Sequence, residues 1–151
     1  MRIFKWTSPL IVAGLIAVGL SAPAHAHGLE IEDAWTSGTP AVSTNHIAYL
    51  TIVNEAYHAE YLYRASTPVA VRVELHRTLS GTKMAPVNRF EIPLDDRLDM
   101  RRAGYHLMLI GVKRPLKPGE KIPITLTFEE GRVQQTSLTV AAAGNPARKQ
   151  Q

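Results

Sequence analysis

His106-Leu107-Met108 is the stretch of this sequence with the most chemistry to offer. In an extended strand, residues two apart project from the same face. The imidazole of His106 and the thioether of Met108 therefore stand together, while Leu107 and Leu109 turn the other way, toward a core. His76 takes the outward phase of another segment, in which Val69, Val71, Val73 and Leu75 alternate with Ala70, Arg72, Glu74 and His76. Met84 lies just past a Ser80-Gly81 turn. If these strands are neighbours, two imidazoles and two thioethers converge near one end of the sheet. A thioether is soft, neutral and loses no proton on binding, which makes it a poor ligand for zinc, calcium or magnesium and a good one for Cu(I). Imidazole adds strength and tolerates both copper oxidation states. The chain has no cysteine, so the thiolate of a blue-copper electron-transfer site is missing and the set favours carrying copper over cycling it. Each residue also has a plain structural reading: an outward His as surface, a strand Met as core filler. Spacing alone leaves the two readings open.

The elements that must position these groups read as strands. His46 through Val53 is β-rich and ends at Asn54. Ile122, Ile124, Leu126 and Phe128 alternate with Pro123, Thr125, Thr127 and Glu129, and residues 133–140 supply a last strand. Turn signals stand between the segments at Thr67-Pro68, Ser80-Gly81, Ala103-Gly104 and Lys117-Pro118-Gly119-Glu120. No segment keeps a period of 3.6. The pattern predicts an all-β, antiparallel sandwich or small barrel. Residues 36–44 read as a loop, and residues 141–151, small and polar with Gly144 and Pro146, as a disordered tail.

Length and charge set the class. A chain of 151 residues with 45% hydrophobic content suits one domain with a real core. The absence of cysteine excludes a disulfide scaffold, a zinc–cysteine site and thiol catalysis. Arg2 and Lys5 precede 11 apolar residues at 10–20, followed by Ser21-Ala22-Pro23-Ala24-His25-Ala26. This is the pattern of a secretory signal peptide over residues 1–26, too short for a membrane span. Cleavage after Ala26 leaves 125 residues and lowers the formal charge from +4 to +2. The scattered charges give no support to nucleic-acid binding, and neither stable membrane insertion nor oligomerisation is expected.

Several residues are weighed and given other roles. Met100, in phase with Leu98, reads as core filler. His46 reads as an exposed strand-start residue, His58 as part of a turn or strand edge, and Trp35 as a core anchor. Arg101, Arg102, Lys113 and Arg114 flank the His106 strand and read as a solvated rim, with docking of an acidic partner as the alternative. Cleavage after Ala26 would expose His27 with a free α-amine, a chelating pair for Cu(II), and cleavage after Ala24 would begin His25-Ala26-His27. These histidines are read as incidental to the junction, with a Cu(II) position at His27 as the alternative.

The sequence resembles the periplasmic copper chaperones of the PCuAC type. Their pattern is a His, then a Met, then 21 residues, then His-x-Met, and Met84 to His106 encloses 21. Met84-Ala85-Pro86-Val87 matches Met-x-Pro-Val of the family. Gly104-Tyr105-His106-Leu107-Met108-Leu109 and Pro115-Leu116-Lys117-Pro118-Gly119 resemble its most characteristic stretches. Asp33-Ala34-Trp35 and Ala48-Tyr49-Leu50-Thr51-Ile52 fit its opening strands, so the likeness covers residues 28–140. Two departures stand out. His76 and Met84 enclose only seven residues where the family commonly has ten or so, and Arg77 follows His76 where a Met is frequent. Arg77 is expected to put a cation near the metal and weaken or tune its binding. The tail also lacks the His and Met that serve a second copper in some members.

The resemblance implies a single cupredoxin-like Greek-key β-sandwich or barrel over residues 27–140, located in the periplasm. It implies one Cu(I) held by His76, Met84, His106 and Met108 and passed to a copper-accepting protein, a cytochrome oxidase subunit or its assembly factor, with no catalysis. Copper sequestration is the nearest alternative. A metal-free binding module and a copper enzyme built on His27 are the remaining ones.

Overall fold

The structure, a computed structural model, describes residues 28–38 and 44–142. Ten strands follow in chain order: β1 (Leu29–Ser37), β2 (Asn45–Asn54), β3 (Glu60–Ser66), β4 (Ala70–Ser80), β5 (Lys83–Pro86), β6 (Phe90–Ile92), β7 (Arg97–Asp99), β8 (Tyr105–Val112), β9 (Lys121–Phe128) and β10 (Val133–Ala141). The helical content among the described residues is one four-residue turn, α1 (Met100–Ala103), and a 3-10 turn at Glu129–Gly131.

A single hydrogen-bonded path runs β5-β4-β8-β2-β1-β10-β9-β3-β6, with β7 added to β2. All pairs are antiparallel except β1 with β10. The path rolls up on itself. The ring of Phe90, on β6 at one end, lies 4.6 Å from that of Tyr105 on β8, third from the other end. Ala48, Leu50, Ile52, Leu107 and Leu109 thus share one core with Leu62, Ile122, Ile124, Leu126, Phe128 and Leu138. This is the all-β sandwich that the alternation predicts, and the inward phases of β8 and β9 are those read from sequence. Met100 is fully buried core filler, as expected.

Other expectations need correction. His46 is buried, not exposed: it shares the inward phase of Ala48 and Leu50, and its Nδ1 lies 2.9 Å from the carbonyl of Ser37. Trp35 is half-buried and stands outside the core. A bulge between Glu32 and Trp35, with Asp33 at φ 46, shifts the phase of β1 by one residue, so Thr36 turns inward and Trp35 outward. Val71 is 69% exposed despite its expected inward phase. It lies against Gly111, where a Cβ would meet its Cγ2 at 2.8 Å and φ is +66, so only glycine suits the contact. β1 continues through Ser37 into the stretch read as loop, and Ala141 closes β10 instead of opening a tail. The signal peptide, His25, His27, residues 39–43 and residues 143–151 lie outside the described residues.

Candidate metal centre

β4 and β8 are neighbours, and their register sets His76 directly opposite His106. The two rings stand 5.6 Å apart at an angle of 56°. One rung along, Met108 lies opposite Glu74 on β4 and Ile47 on β2. In the other direction Met84 lies on β5 opposite Thr78, two residues on from His76. Opposed residues of an antiparallel pair share a face. His76, Met84, His106 and Met108 are therefore all on the outer face of the sheet, with the methionines on either side of the histidine rung. Local chemistry fixes the entry to β8. Asp99 caps α1 by accepting from the Arg102 N–H at 3.1 Å, and Gly104 ends it in the left-handed conformation at φ 73. The Gly104 carbonyl then accepts from the Thr78 N–H at 2.8 Å, which ties this turn to β4.

The face is only half open. His106 is 2% exposed, and the His76 side chain 12%. Met108 is half-buried and Met84 is exposed at the rim. Nε2 of His76 lies 2.9 Å from Glu74 Oε2, and Arg72 Nε donates to Glu74 Oε1 at 2.7 Å. These two hydrogen bonds, Arg72's the larger, hold the Glu74 carboxyl below the usual carboxylate range. Burial, and then the proximity of His76, push His106 below the ordinary imidazole range, which keeps its ring neutral and its lone pair available at neutral pH. Nδ1 of His76 and Nε2 of His106 are buried and meet no hydrogen-bond partner among the described residues.

That pair of nitrogens is the chemical signature of the face. A buried polar atom without a partner costs about 1–3 kcal/mol, and native proteins keep few of them. Among the described residues no three His, Asp or Glu side chains group as a metal site. A metal bound by these imidazoles would therefore draw its further donors from outside that set, and the thioethers share the face.

Tyr49, Glu74 and Trp35 belong to this face, and sequence reasoning did not assign them to it. The Tyr49 ring lies 6.2 Å from His106 and 5.0 Å from Trp35. Burial raises the Tyr49 hydroxyl above its ordinary value against the opposing pull of Arg101. Phase parity with Met108 and His76 was the signal available for Tyr49 and Glu74. Trp35 had none, because the bulge reverses its phase. Arg77 does not stand beside the imidazoles. It pairs with Ala85 and Tyr105 in the register, one residue out of phase with His76, and so faces away. Arg72 stands on the face of the two imidazoles, and it is neutralised by Glu74. The flanking basic residues form a solvated rim: Arg102 pairs with Asp99 at 3.2 Å, Lys113 donates to the Pro68 carbonyl at 3.0 Å, and Arg114 pairs with Glu120.

Fold and face together define a small cupredoxin-like β-sandwich with an imidazole–thioether surface. The family model described as putative lipoprotein LpqE-like matches residues 29–140, and the chain belongs to this family, of PCuAC type. A curated relative, the putative lipoprotein Lxx21020 of Leifsonia xyli subsp. xyli, is 27% identical over 145 residues, covering 89% of this chain and 86% of that protein. Among solved structures, apo-DR1885 from Deinococcus radiodurans is 32% identical, with 93% of this chain and 95% of that chain covered and a TM-score of 0.60. Its CuI form is 34% identical, with 74% and 76% covered and a TM-score of 0.59. The copper-bound PCuAC domain from PmoF2, at 23% identity and a TM-score of 0.67 over 78% of this chain and 97% of that one, shows the same fold.

Proposed function

We propose that this protein is an extracytoplasmic copper chaperone. It binds one Cu(I) through His76, Met84, His106 and Met108 and hands it to another copper protein, of the kind a cytochrome oxidase subunit or its assembly factor represents. The observation that carries the reading is the pair of buried imidazole nitrogens with no partner, opposed on one rung with a methionine on either side. The CuI state of DR1885 and the copper-bound state of PmoF2 support copper as the metal. The putative lipoproteins of the family and the leader pattern support an address outside the cytoplasm. Among the described residues no helix is long and apolar enough to cross a membrane.

The donor set suits cargo. Neutral thioethers reward soft Cu(I) over Zn(II). Met84, at 38% exposed, is the ligand within easiest reach of a partner. It is displaced first, so copper passes through a shared intermediate without entering water. Transfer exchanges the coordination bonds of the metal and changes no covalent bond, and the protein acts as carrier, not enzyme.

The test is an anaerobic Cu(I) titration against a chromophoric competitor. Wild type should bind one equivalent, and Met108→Ala should bind at least tenfold more weakly, about 1.4 kcal/mol. Unchanged affinity in Met108→Ala removes the methionine from the site. Gene deletion separates delivery from sequestration: delivery predicts oxidase loss at low copper that added copper restores, and sequestration predicts copper sensitivity with normal oxidase.

A further inference from the structure

We propose that Glu74 is the positioning residue of this face, fixing His76 in the tautomer that carries its proton on Nε2 and keeps the lone pair on Nδ1. The inference deepens the copper reading and rests on it for its consequence, though not for its structural content.

The argument runs through who can donate to whom. The carboxylate of Glu74 has acceptor positions and no hydrogen to give. Its Oε2 lies 2.9 Å from His76 Nε2, so the hydrogen of that contact belongs to the ring. A neutral imidazole has one N–H. With the hydrogen committed to Nε2, Nδ1 is bare, and Nδ1 is the ring nitrogen that is buried without a partner. The carboxylate is itself held. Arg72 Nε takes Oε1 at 2.7 Å, leaving Oε2 for the ring. Arg72, Glu74 and His76 occupy alternate positions of β4 and so share its outer face, forming a chain along one strand that ends at the candidate ligand. The strand opposite contributes Met108 at the Glu74 rung and His106 at the His76 rung, so the carboxylate sits on the ligand face without being needed as a ligand. A carboxylate that orients a metal-binding imidazole and raises its basicity commonly affects affinity by 10–100-fold when it is lost.

Three things follow for His76. Its ring is oriented before metal arrives, the hydrogen is kept off the nitrogen that binds, and the negative charge behind the ring strengthens the lone pair in front of it. None of these requires Glu74 to touch the metal.

The experiment begins on the metal-free protein at neutral pH. Imidazole 15N shifts should show His76 with a protonated Nε2 and a bare Nδ1. A wild-type ring protonated on Nδ1 overturns the assignment outright. Glu74→Leu should lose that preference and bind Cu(I) ten- to a hundredfold more weakly, whereas Glu74→Gln, whose amide oxygen still accepts, should keep the tautomer and lose less. Wild-type affinity in a folded Glu74→Leu, or equal losses in the two variants, overturns positioning by hydrogen bond. The failures are separable. Absence of tight Cu(I) binding by the wild type sinks the copper reading and leaves the tautomer measurement untouched, while an Nδ1–H ring in wild type sinks only the role of Glu74.

Discussion

Asn54 and His106 are both almost completely buried, at 1% and 2% exposure, and both are polar. Their surroundings differ in kind. The Asn54 amide donates to the carbonyls of His58 at 2.9 Å, Ile92 at 3.1 Å and Pro93 at 3.0 Å, while its oxygen accepts from the Ala56 N–H at 2.9 Å. It ties the end of β2 to the loop before β3 and to the chain leaving β6. His106 keeps a buried Nε2 with no partner, facing a His76 that keeps a bare Nδ1. A polar group buried for structure is satisfied, because an unmet one costs more than the fold gains from it. A polar group buried unsatisfied is tolerated where something else is to meet it. The contrast separates what holds this sandwich together from what it is for.

The sharpest way to break the comparison is to exchange the outcomes. Asn54→Leu should destabilise the protein by about 3 kcal/mol, since it orphans three carbonyls and an N–H, and should leave Cu(I) affinity unchanged in the fraction that folds. Urea unfolding beside the copper titration measures both. A mild loss of stability would mean that water or relaxed backbone replaces the amide easily. His106→Leu should do the reverse. It removes a buried atom that has no partner, so stability should hold within about 1 kcal/mol or rise, while Cu(I) affinity falls by at least tenfold. A large loss of stability in His106→Leu would make the histidine structural after all.

The same difference has a pH signature. Burial and the neighbouring His76 lower the His106 value below the ordinary 6.5. Above 6.5 the ring is neutral in folded and unfolded chains alike and contributes no slope. Below it the unfolded chain takes up a proton that the folded site refuses, so metal-free stability falls as pH drops from 6.5 and levels off once the folded value is passed. His106→Leu should remove that part of the slope, and Asn54→Leu should leave it. Urea midpoints collected between neutral and mildly acid pH decide the matter, and an unchanged slope in His106→Leu would assign it to another group.

Much of this was legible in the residues. Strict alternation marked β9, and Leu107 and Leu109 declared the inward phase of β8, which fixed the outward phase of His106 and Met108. The family resemblance, through its 21-residue gap, tied Met84 to that strand. What stayed hidden depends on non-local events. Trp35 was misplaced because one bulged residue at Asp33 reverses the phase of everything after it, and a bulge is a property of the pair of strands. Arg77 was assigned to the metal by adjacency, whereas in a strand adjacency means the opposite face. His46 was read by its polarity as exposed, and the carbonyl that satisfies it lies on β1, nine residues away in sequence. β3, β5, β6 and β7 went unread because they are short or mix apolar and polar residues without clear alternation.

The smallest effect comes from a third kind of polar group, exposed and paired. Arg114 embraces Glu120 with both guanidinium arms, and the Lys117 N–H adds a bond to Oε2 at 3.1 Å. The Arg114 contacts first, then the Lys117 N–H, push the Glu120 carboxyl down from 4.5 to about 2. A folded value below the unfolded one means that the ionised pair contributes stability above 4.5 and loses it as pH falls from there through about 2. In water such a pair is screened and weak. Glu120→Gln should therefore lower the melting temperature only slightly at neutral pH and by less as the solution is acidified toward the folded value, with added salt narrowing the gap further. Copper affinity should not move, because the turn at 117–120 follows β8 at the end away from His106. Melting curves of the two proteins across that acid range test it. A gap that persisted unchanged in acid would show that the glutamate contributes through packing instead of charge, and would place this latch with Asn54 among the groups that hold the fold.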